Sequence, residues 1–454
     1  MVVRAATRGL DIWMNGERVG VWYASRDGVP VFQYHDEWHR SPGARALSVS
    51  LPMLPGNGAH RGVHVASWFD NLLPDSAAIR ERVARRLRLH TVAAPELLAA
   101  IGRDCVGAVQ IVPAGTDPGN VRCIEADPLD EAGVARLLRG VTATGPLGLG
   151  EDADDLRISI AGAQEKTALL RLRGRWYRPK GATPTTHLLK LPLGLIGNLR
   201  ADMRDSVENE WLCMHLLAAL GLPVAQTEIA TFEDEVSNEK VLVVERFDRE
   251  LVAAAGSQRE WIVRFPQEDF CQATGTPGTL RHESDGGPGI AQSLALLAGS
   301  ELRQEDSLVF AKTQLAFWLL AATDGHAKNF SIFLRRHDYI MTPLYDVLSA
   351  WPIIGRGARQ WAEQETMLAM ALRGRSAHRV LARIGVRHWK RLAEQTGVSD
   401  AFAEMVGMVE GVDDALKALE SALPAGFPER VWGRISVGVR RQQERFLRGV
   451  EAER

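Results

Sequence analysis

The chain has 454 residues, of which 46% are apolar and 24% charged, enough for two or three domains with their own cores and unlike a disordered or low-complexity protein. A formal net charge of −2 gives no global pull toward nucleic acid or anionic membrane, so any basic surface is local. Cys105, Cys123, Cys213 and Cys271 lie far apart with no CxxC pair, and no apolar run approaches a membrane span; reduced thiols and a cytoplasmic protein without a signal peptide are expected.

Leu10 to Tyr34 reads as short strands broken at Asn15-Gly16 and Asp27-Gly28, the pattern of a β-meander. Residues 66 to 100 read as helices, with Asp75 or Ser76 as a cap and Arg80 to Arg88 as a solvated basic face. A polar stretch with several glycines, Arg139 to Asp155, is the best linker. Ile158 to Leu170, ISIAGAQEKTALL, follows it. Ala161, Gly162 and Ala163 are small enough for backbone N–H groups to approach phosphate oxygens, and Lys166 adds charge. Lys166-Thr167 mimics the end of a Walker A loop, but the second glycine is missing and a hairpin (Thr167 to Leu172, Arg175 to Arg178) replaces the helix.

Leu188 to Leu191 form a short apolar strand carrying Lys190. Kinases place a phosphate-contacting lysine on such a strand, paired with a helix glutamate. The predicted helix Ser206 to Leu220 offers Glu208 and Glu210, and helical phase does not choose between them. Val241 to Phe247 reads as a buried strand whose end, near Glu245 and Phe247, suits an adenine edge. Glu245, Arg246, Asp248 and Arg249 equally suit surface ion pairs. From Asp269 onward helices dominate, among them Leu308 to Ala322.

Just past that helix come Asp324, four residues, then Asn329, the spacing of a kinase catalytic loop. Phe330 to Leu334 and Tyr339 to Leu344 then alternate as a hairpin, which returns Asp346 beside Asn329. Phosphoryl transfer needs a positioned hydroxyl, a metal bridging the terminal phosphates and positive charge around the transferred group. Each of these polar residues alone also suits a turn or cap; the hairpin that joins them makes the catalytic reading the stronger one.

With these pieces in order the chain resembles the HipA family of serine/threonine kinase toxins from toxin–antitoxin operons. WFDNLLPDS at 68 to 76 and GRDCVGAVQIVP at 102 to 113 resemble its N-terminal domain. SIAGAQEKTALL, THLLKLP, ENEWLCMHLLAALGLPV, VVERFDR, PQEDFCQATGTP, ATDGHAKNFSIFL and PLYDVLSAWP resemble its kinase core, and FPERV from Phe427 its C-terminal helices. The resemblance implies an α+β, bilobal protein-kinase-like fold with a β-rich N-lobe, a helical C-lobe and an extra N-terminal α/β domain, divided as 1–145, 146–252 and 253–454.

The resemblance also implies roles. Asp324 would be the catalytic base, Asn329 and Asp346 would ligate Mg2+, and Lys190 would contact the ATP phosphates. Ala161, Gly162, Ala163, Gln164, Glu165 and Lys166 would cover those phosphates, while Glu245, Arg246 and Phe247 would hold adenine. His326, Ala327, Lys328 and Tyr345 would line the nucleotide pocket, and Ser159 would be autophosphorylated, silencing the enzyme by repulsion of the nucleotide. The implied partners are a HipB-like helix-turn-helix antitoxin, operator DNA reached mainly through it, and a protein substrate of the aminoacyl-tRNA synthetase class, glutamyl-tRNA synthetase first. The basic segment Arg373 to Arg391 suits DNA, a synthetase or its tRNA, or a solvated helix face.

Two other readings stand beside this one. His326, two residues after the base, is where phosphoinositide kinases carry histidine, so a lipid or small-molecule kinase fits the loop, although no cationic amphipathic stretch favours a membrane. A corepressor scaffold without turnover fits the operon assignment.

Overall fold

The computed structural model describes residues 9–142, 164–253, 260–374 and 376–453. Ser159, Ala161, Gly162 and Ala163 lie outside them, as does most of the expected linker.

The first unit is built on a five-stranded antiparallel sheet, in spatial order His60–Arg61, Pro30–Tyr34, Glu17–Ala24, Leu10–Met14 and Val109–Pro113. Asn15 (φ 48°) and Gly16 (φ 87°) join Met14 to its register partner Glu17, the two positive φ values that a tight hairpin turn requires. Alternate residues Leu10, Ile12, Trp22 and Phe32 face helices Val63–Asp70 and Ala94–Ile101, where Trp22 stacks on Phe69 at 4.2 Å. Between these helices lies Ala77–Arg86, capped by Ser76, whose Oγ accepts from the Ile79 N–H at 3.4 Å.

The second unit has a six-stranded sheet in the order Thr227–Glu233, Asn238–Glu245, His187–Lys190, Lys166–Leu172, Arg175–Pro179 and Ala126–Leu129. Leu242 and Val244 pack into the large core with Leu212 and Leu216 of helix Ser206–Ala219. Val241 and Val243 point the other way, into a smaller core with Val134, Ala135 and Leu138 of helix Glu131–Thr142. That is why the sequence there is a continuous apolar run: both faces of the strand are covered. Residues 126–142, which the sequence reading counted with the first unit, thus belong spatially to this second sheet. Pro128 is tolerated because its strand lies at the sheet edge.

The third unit is largely helical. Its central helix, Arg303–Leu320, is buried among the flanking helices, including Val386–Gln395, whose Trp389 meets Trp318 edge-on at 5.8 Å, and the 25-residue Glu429–Glu453. Strands Gln267–Asp269, Ser331–Leu334 and Tyr339–Met341 make a small antiparallel sheet beside it. No helix among the described residues is long and apolar enough to cross a membrane.

Three charged segments differ from their sequence expectations. Arg246, Asp248 and Arg249 form no surface pairs; with Asp104 and Arg264 they make a fully buried cluster that ties the first unit to the second. Arg249 reaches Asp104 at 3.0 Å, and Asp248 accepts from the Gly107 N–H at 2.7 Å. The basic helix Ala77–Arg86 is not simply solvated either, since Arg82 pairs with Glu165 across the units and Arg80 with Asp70 at 2.7 Å. Arg373 to Arg391 is no single helix face: it is divided among strands Met367–Arg373 and Ala377–Val380, a short turn of 3-10 helix and helix Val386–Gln395.

Candidate active site

Helix Arg303–Leu320 ends because Ala321 turns left-handed, φ 51°, and its N–H is directed back to the Phe317 and Trp318 carbonyls. The chain then drops into the cleft. A Cβ on Gly325 would lie 2.3 Å from the Phe317 ring, so only glycine lets the loop pass this close to the helix. The His326 N–H donates to the Asp324 carbonyl at 2.8 Å, and Ala327–Asn329 make a single turn of 3-10 helix. Asn329 Nδ2 donates to that same Asp324 carbonyl at 2.8 Å, which locks the two ends of the D-x4-N segment together. Strands Ser331–Leu334 and Tyr339–Met341 return the chain, and Asp346, itself left-handed at φ 61°, arrives beside them.

Across the cleft, Lys166 and Lys190 are direct register partners on adjacent antiparallel strands. Lys190 Nζ donates to Glu210 Oε1 at 2.6 Å and to Asp346 Oδ1 at 2.8 Å. The choice left open by helical phase is therefore resolved in favour of Glu210; Glu208 turns to Lys240 at 2.7 Å. Burial alone would strip charge from Lys190, but Asp346 and Glu210 outweigh it and keep the ammonium protonated. Burial would likewise raise the Asp346 carboxyl, yet the Lys190 and Lys166 ammoniums hold it well below the usual carboxylate range.

The Asp324 side chain lines the cleft and is 70% exposed there. Desolvation by the surrounding protein first, and the Asp346 charge second, push its carboxyl up to about 7, a rise that this exposure tempers. His326 Nε2 sits 3.7 Å from Asp324 Oδ1 and accepts from Arg281 Nε at 3.1 Å. Burial, together with His282 and Arg281, lowers the imidazole to about 3, so His326 is neutral and acts as an acceptor for Arg281.

These groups share one cleft, lined by residues of all three units. Its inner wall is apolar, with Leu188, Val244 and Phe247, and Phe247 lies 5.9 Å from the Tyr345 ring. Tyr345 is held by its hydroxyl, which meets Ser331 Oγ at 2.5 Å and the Lys328 carbonyl at 2.9 Å. Ala327 is buried beneath the loop.

Several expected site residues direct their side chains elsewhere. The Arg246 guanidinium is committed to the buried cluster, bonding Asp248 at 2.8 Å and the Cys105 carbonyl at 2.9 Å, and only its segment borders the cleft. Glu165 pairs with Arg82, and Gln164 donates to the Leu191 carbonyl at 2.6 Å. Lys328 does line the cleft, where its ammonium bonds Asp75 of the first unit at 2.7 Å. Conversely, the cleft includes residues that are not expected there from sequence: Asn71, Gln267, Asp269, Arg281 and Asp75, the last expected only as a helix cap. Asp75 and Asp269 stand in the quoted motifs WFDNLLPDS and PQEDFCQATGTP, so the signal was present without a site role attached.

Asn329 and Asp346 offer the amide and carboxylate oxygens that a hard divalent cation takes, and Lys166 and Lys190 the charge that polyphosphate requires. The residues present fit Mg2+ and ATP.

The chain matches the HipA N-terminal domain family over residues 10–112 and the HipA-like C-terminal domain family over residues 158–418, more than half its length. A relative from Sinorhizobium fredii, named "Putative kinase Y4mE", is 32% identical over 438 residues, covering 95% of this chain and 98% of its own. A solved structure of the Shewanella oneidensis toxin–antitoxin complex of HipA, HipB and operator DNA has a chain that superposes with TM-score 0.76 at 21% identity, covering 98% of both chains. The fold is accordingly the expected α+β, bilobal kinase-like one. Its two domain families in their proper order, together with a relative of matching length, place the chain in the HipA family.

Proposed function

We propose that this chain is an ATP-dependent serine/threonine kinase and the toxin of a HipA–HipB-like pair. One observation carries the reading: Lys190 bridges Glu210 and Asp346 in a cleft that also holds Asp324 and Asn329. A lysine–glutamate pair next to an aspartate after a hairpin is the arrangement that organises phosphoryl transfer in kinases.

Mg2+-ATP supplies the phosphoryl group and the cation that neutralises charge on it; Asn329 and Asp346 would ligate the metal. Lys190 and Lys166 hold positive charge against the phosphates, and the family resemblance assigns the cover of the phosphates to Ala161 to Lys166. The amides of Glu245 and Arg246 are committed to the Gln226 and Thr186 carbonyls, each at 2.9 Å, so adenine recognition falls to the Phe247 amide and to the Glu245 carbonyl. As the substrate hydroxyl oxygen bonds to the γ-phosphorus and the β–γ bridging bond breaks, the hydroxyl proton passes to the Asp324 carboxylate.

The family resemblance and the complex in which the Shewanella protein was solved support a helix-turn-helix antitoxin as partner, with operator DNA reached mainly through it. On the family resemblance alone rest a cytoplasmic site of action, an aminoacyl-tRNA synthetase as substrate, glutamyl-tRNA synthetase first, and self-silencing through Ser159. The test is to incubate the protein with labelled ATP and Mg2+, alone and with glutamyl-tRNA synthetase, beside Asp324→Ala. Label on Ser159 and the synthetase that Asp324→Ala abolishes is expected. No label on any protein from the parent chain overturns the reading.

A further inference from the structure

We propose that Asp75, a residue of the first unit, is a positioning residue for phosphoryl transfer that acts through Lys328 of the catalytic loop, so that the kinase site is completed by a domain outside the two lobes. The inference rests on the kinase reading above.

Lys328 is the middle residue of the turn Ala327–Asn329, between the base and the metal ligand. Its side chain is 3% exposed and that of Asp75 9%, and Nζ meets Asp75 Oδ1 at 2.7 Å. The Asn71 carbonyl accepts from the same ammonium at 3.3 Å. A buried ammonium is tolerated only with a carboxylate or several acceptors around it. Here both acceptors come from the segment that links helices Val63–Asp70 and Ala77–Arg86, some 250 residues away in sequence.

That segment is itself fixed against the third unit. Asn71 Nδ2 donates to the Thr276 carbonyl at 3.0 Å, and a Cβ on Gly278 would lie 2.5 Å from Asn71 Oδ1 and 3.4 Å from Lys328 Nζ. The ammonium therefore sits in a closed seat whose position the first unit sets.

The consequence reaches the chemistry through backbone. Tyr345 pins the Lys328 carbonyl at 2.9 Å while Asp75 pins its side chain, so the turn is held from two sides. Asn329, the next residue, is tied to the Asp324 carbonyl. A second buried carboxylate that feels the Lys328 charge is Asp269, the cap of helix Phe270–Ala273. An ammonium drawn there rotates the turn, and with it the separation of Asp324 and Asn329. Lys328 is thus a structural cation that reads whether the first unit is seated.

The test measures labelled-phosphate transfer by the full chain as a function of ATP concentration. Asp75→Asn is expected to lower kcat about 30-fold, the scale of a misplaced catalytic group, with the KM for ATP changed less than about threefold because the lysines, Asp346 and the adenine wall are untouched. Lys328→Met is expected to show the same split, and the double variant to be no slower than the slower single by more than about threefold, since both remove one link. A kcat for Asp75→Asn within about threefold of the parent, or losses that multiply in the double variant, overturns the proposal. If Asp75→Asn does not fold, Lys328→Met decides: lost kcat at unchanged KM supports the proposal and unchanged kcat overturns it. A parent chain that transfers no phosphate at all removes the kinase reading, and this inference with it.

Discussion

Lys166 and Lys190 stand directly opposite each other on neighbouring strands at the back of the cleft. Like charges in that relationship repel, and here the repulsion is offset by the two carboxylates, Glu210 and Asp346, that close on Lys190. At the back of the cleft two lysines and two carboxylates thus balance one another.

The balance makes Lys190 important for stability as well as for binding. Lys190→Met leaves Glu210, 2% exposed at its side chain, without its partner at 2.6 Å, and removing one member of a buried pair costs about 3 kcal/mol or more. Urea unfolding at neutral pH is expected to show that loss. Burial lifts the Glu210 carboxyl to about 7 even beside Lys190 and higher without it, so in the variant Glu210 takes up a proton earlier and the deficit against the parent shrinks as the pH falls through 7 toward 5. A deficit that grows in acid contradicts the pairing.

A second expectation concerns pH and the base. In the proposed mechanism the hydroxyl proton passes to ionised Asp324, whose carboxyl is raised to about 7. The active form is the deprotonated one, so kcat/KM rises with pH and is lost in acid, with its midpoint above the ordinary aspartate value. His326, lowered to about 3, stays neutral throughout and adds no limb. A pH–rate profile between pH 4.5 and 8.5 measures this; a flat profile across that range excludes Asp324 as the base whose ionisation limits the rate.

Much of this site was legible in the sequence, for a local reason. Asp324, Asn329 and Asp346 lie within one stretch where an apolar helix ends, a fixed spacing follows and the pattern changes to strand alternation, so short-range periodicity brings the three together. Lys190 was found because a lysine stands out in an apolar strand. Its partner was not, because Glu208 and Glu210 are both buried and each meets a lysine of the sheet, Lys240 and Lys190, so only the packing of helix on sheet decides the pairing. Long-range ion pairs were misread for the same reason. Nothing near Arg82, Arg246 or Lys328 announces that their partners, Glu165, Asp104 and Asp75, lie on a different unit. A charge run resembles a solvated face until tertiary structure covers it.

The backbone of the loop offers a third test. The Gly325 position faces Phe317, itself 3% exposed, at a distance no Cβ tolerates. Gly325→Ala must displace either a buried ring or the loop, and overpacking of this kind costs about 1 to 3 kcal/mol. The stable helix Arg303–Leu320 yields less readily than the turn, so Asp324 shifts. Calorimetry is expected to show a lower Tm and transfer assays a fall in kcat of about 10-fold or more. An alanine variant with parental Tm and kcat shows that the approach is looser than the geometry states.

The buried cluster between the first and second units yields the last expectation, and its sign follows from charge. Burial alone would raise Asp104, but Arg246, Arg249 and Arg264 outweigh it and hold the carboxyl down at about 2. Its folded value is thus below its ordinary 3.8, so it stabilises the fold fully above pH 4 and loses that contribution as the pH falls through 2. Arg246 also grips Asp248 with two nitrogens, at 3.0 and 2.8 Å. Arg246→Met removes one of three cations from two buried carboxylates; Asp104 then protonates at higher pH, and acid unfolding begins earlier. Because the cluster spans the units, the first unit is the part that loosens, and circular dichroism followed from pH 6 to pH 2 should show a midpoint displaced toward neutrality with a broader transition. A variant whose acid midpoint matches the parent shows that Arg249 and Arg264 suffice to hold both carboxylates ionised.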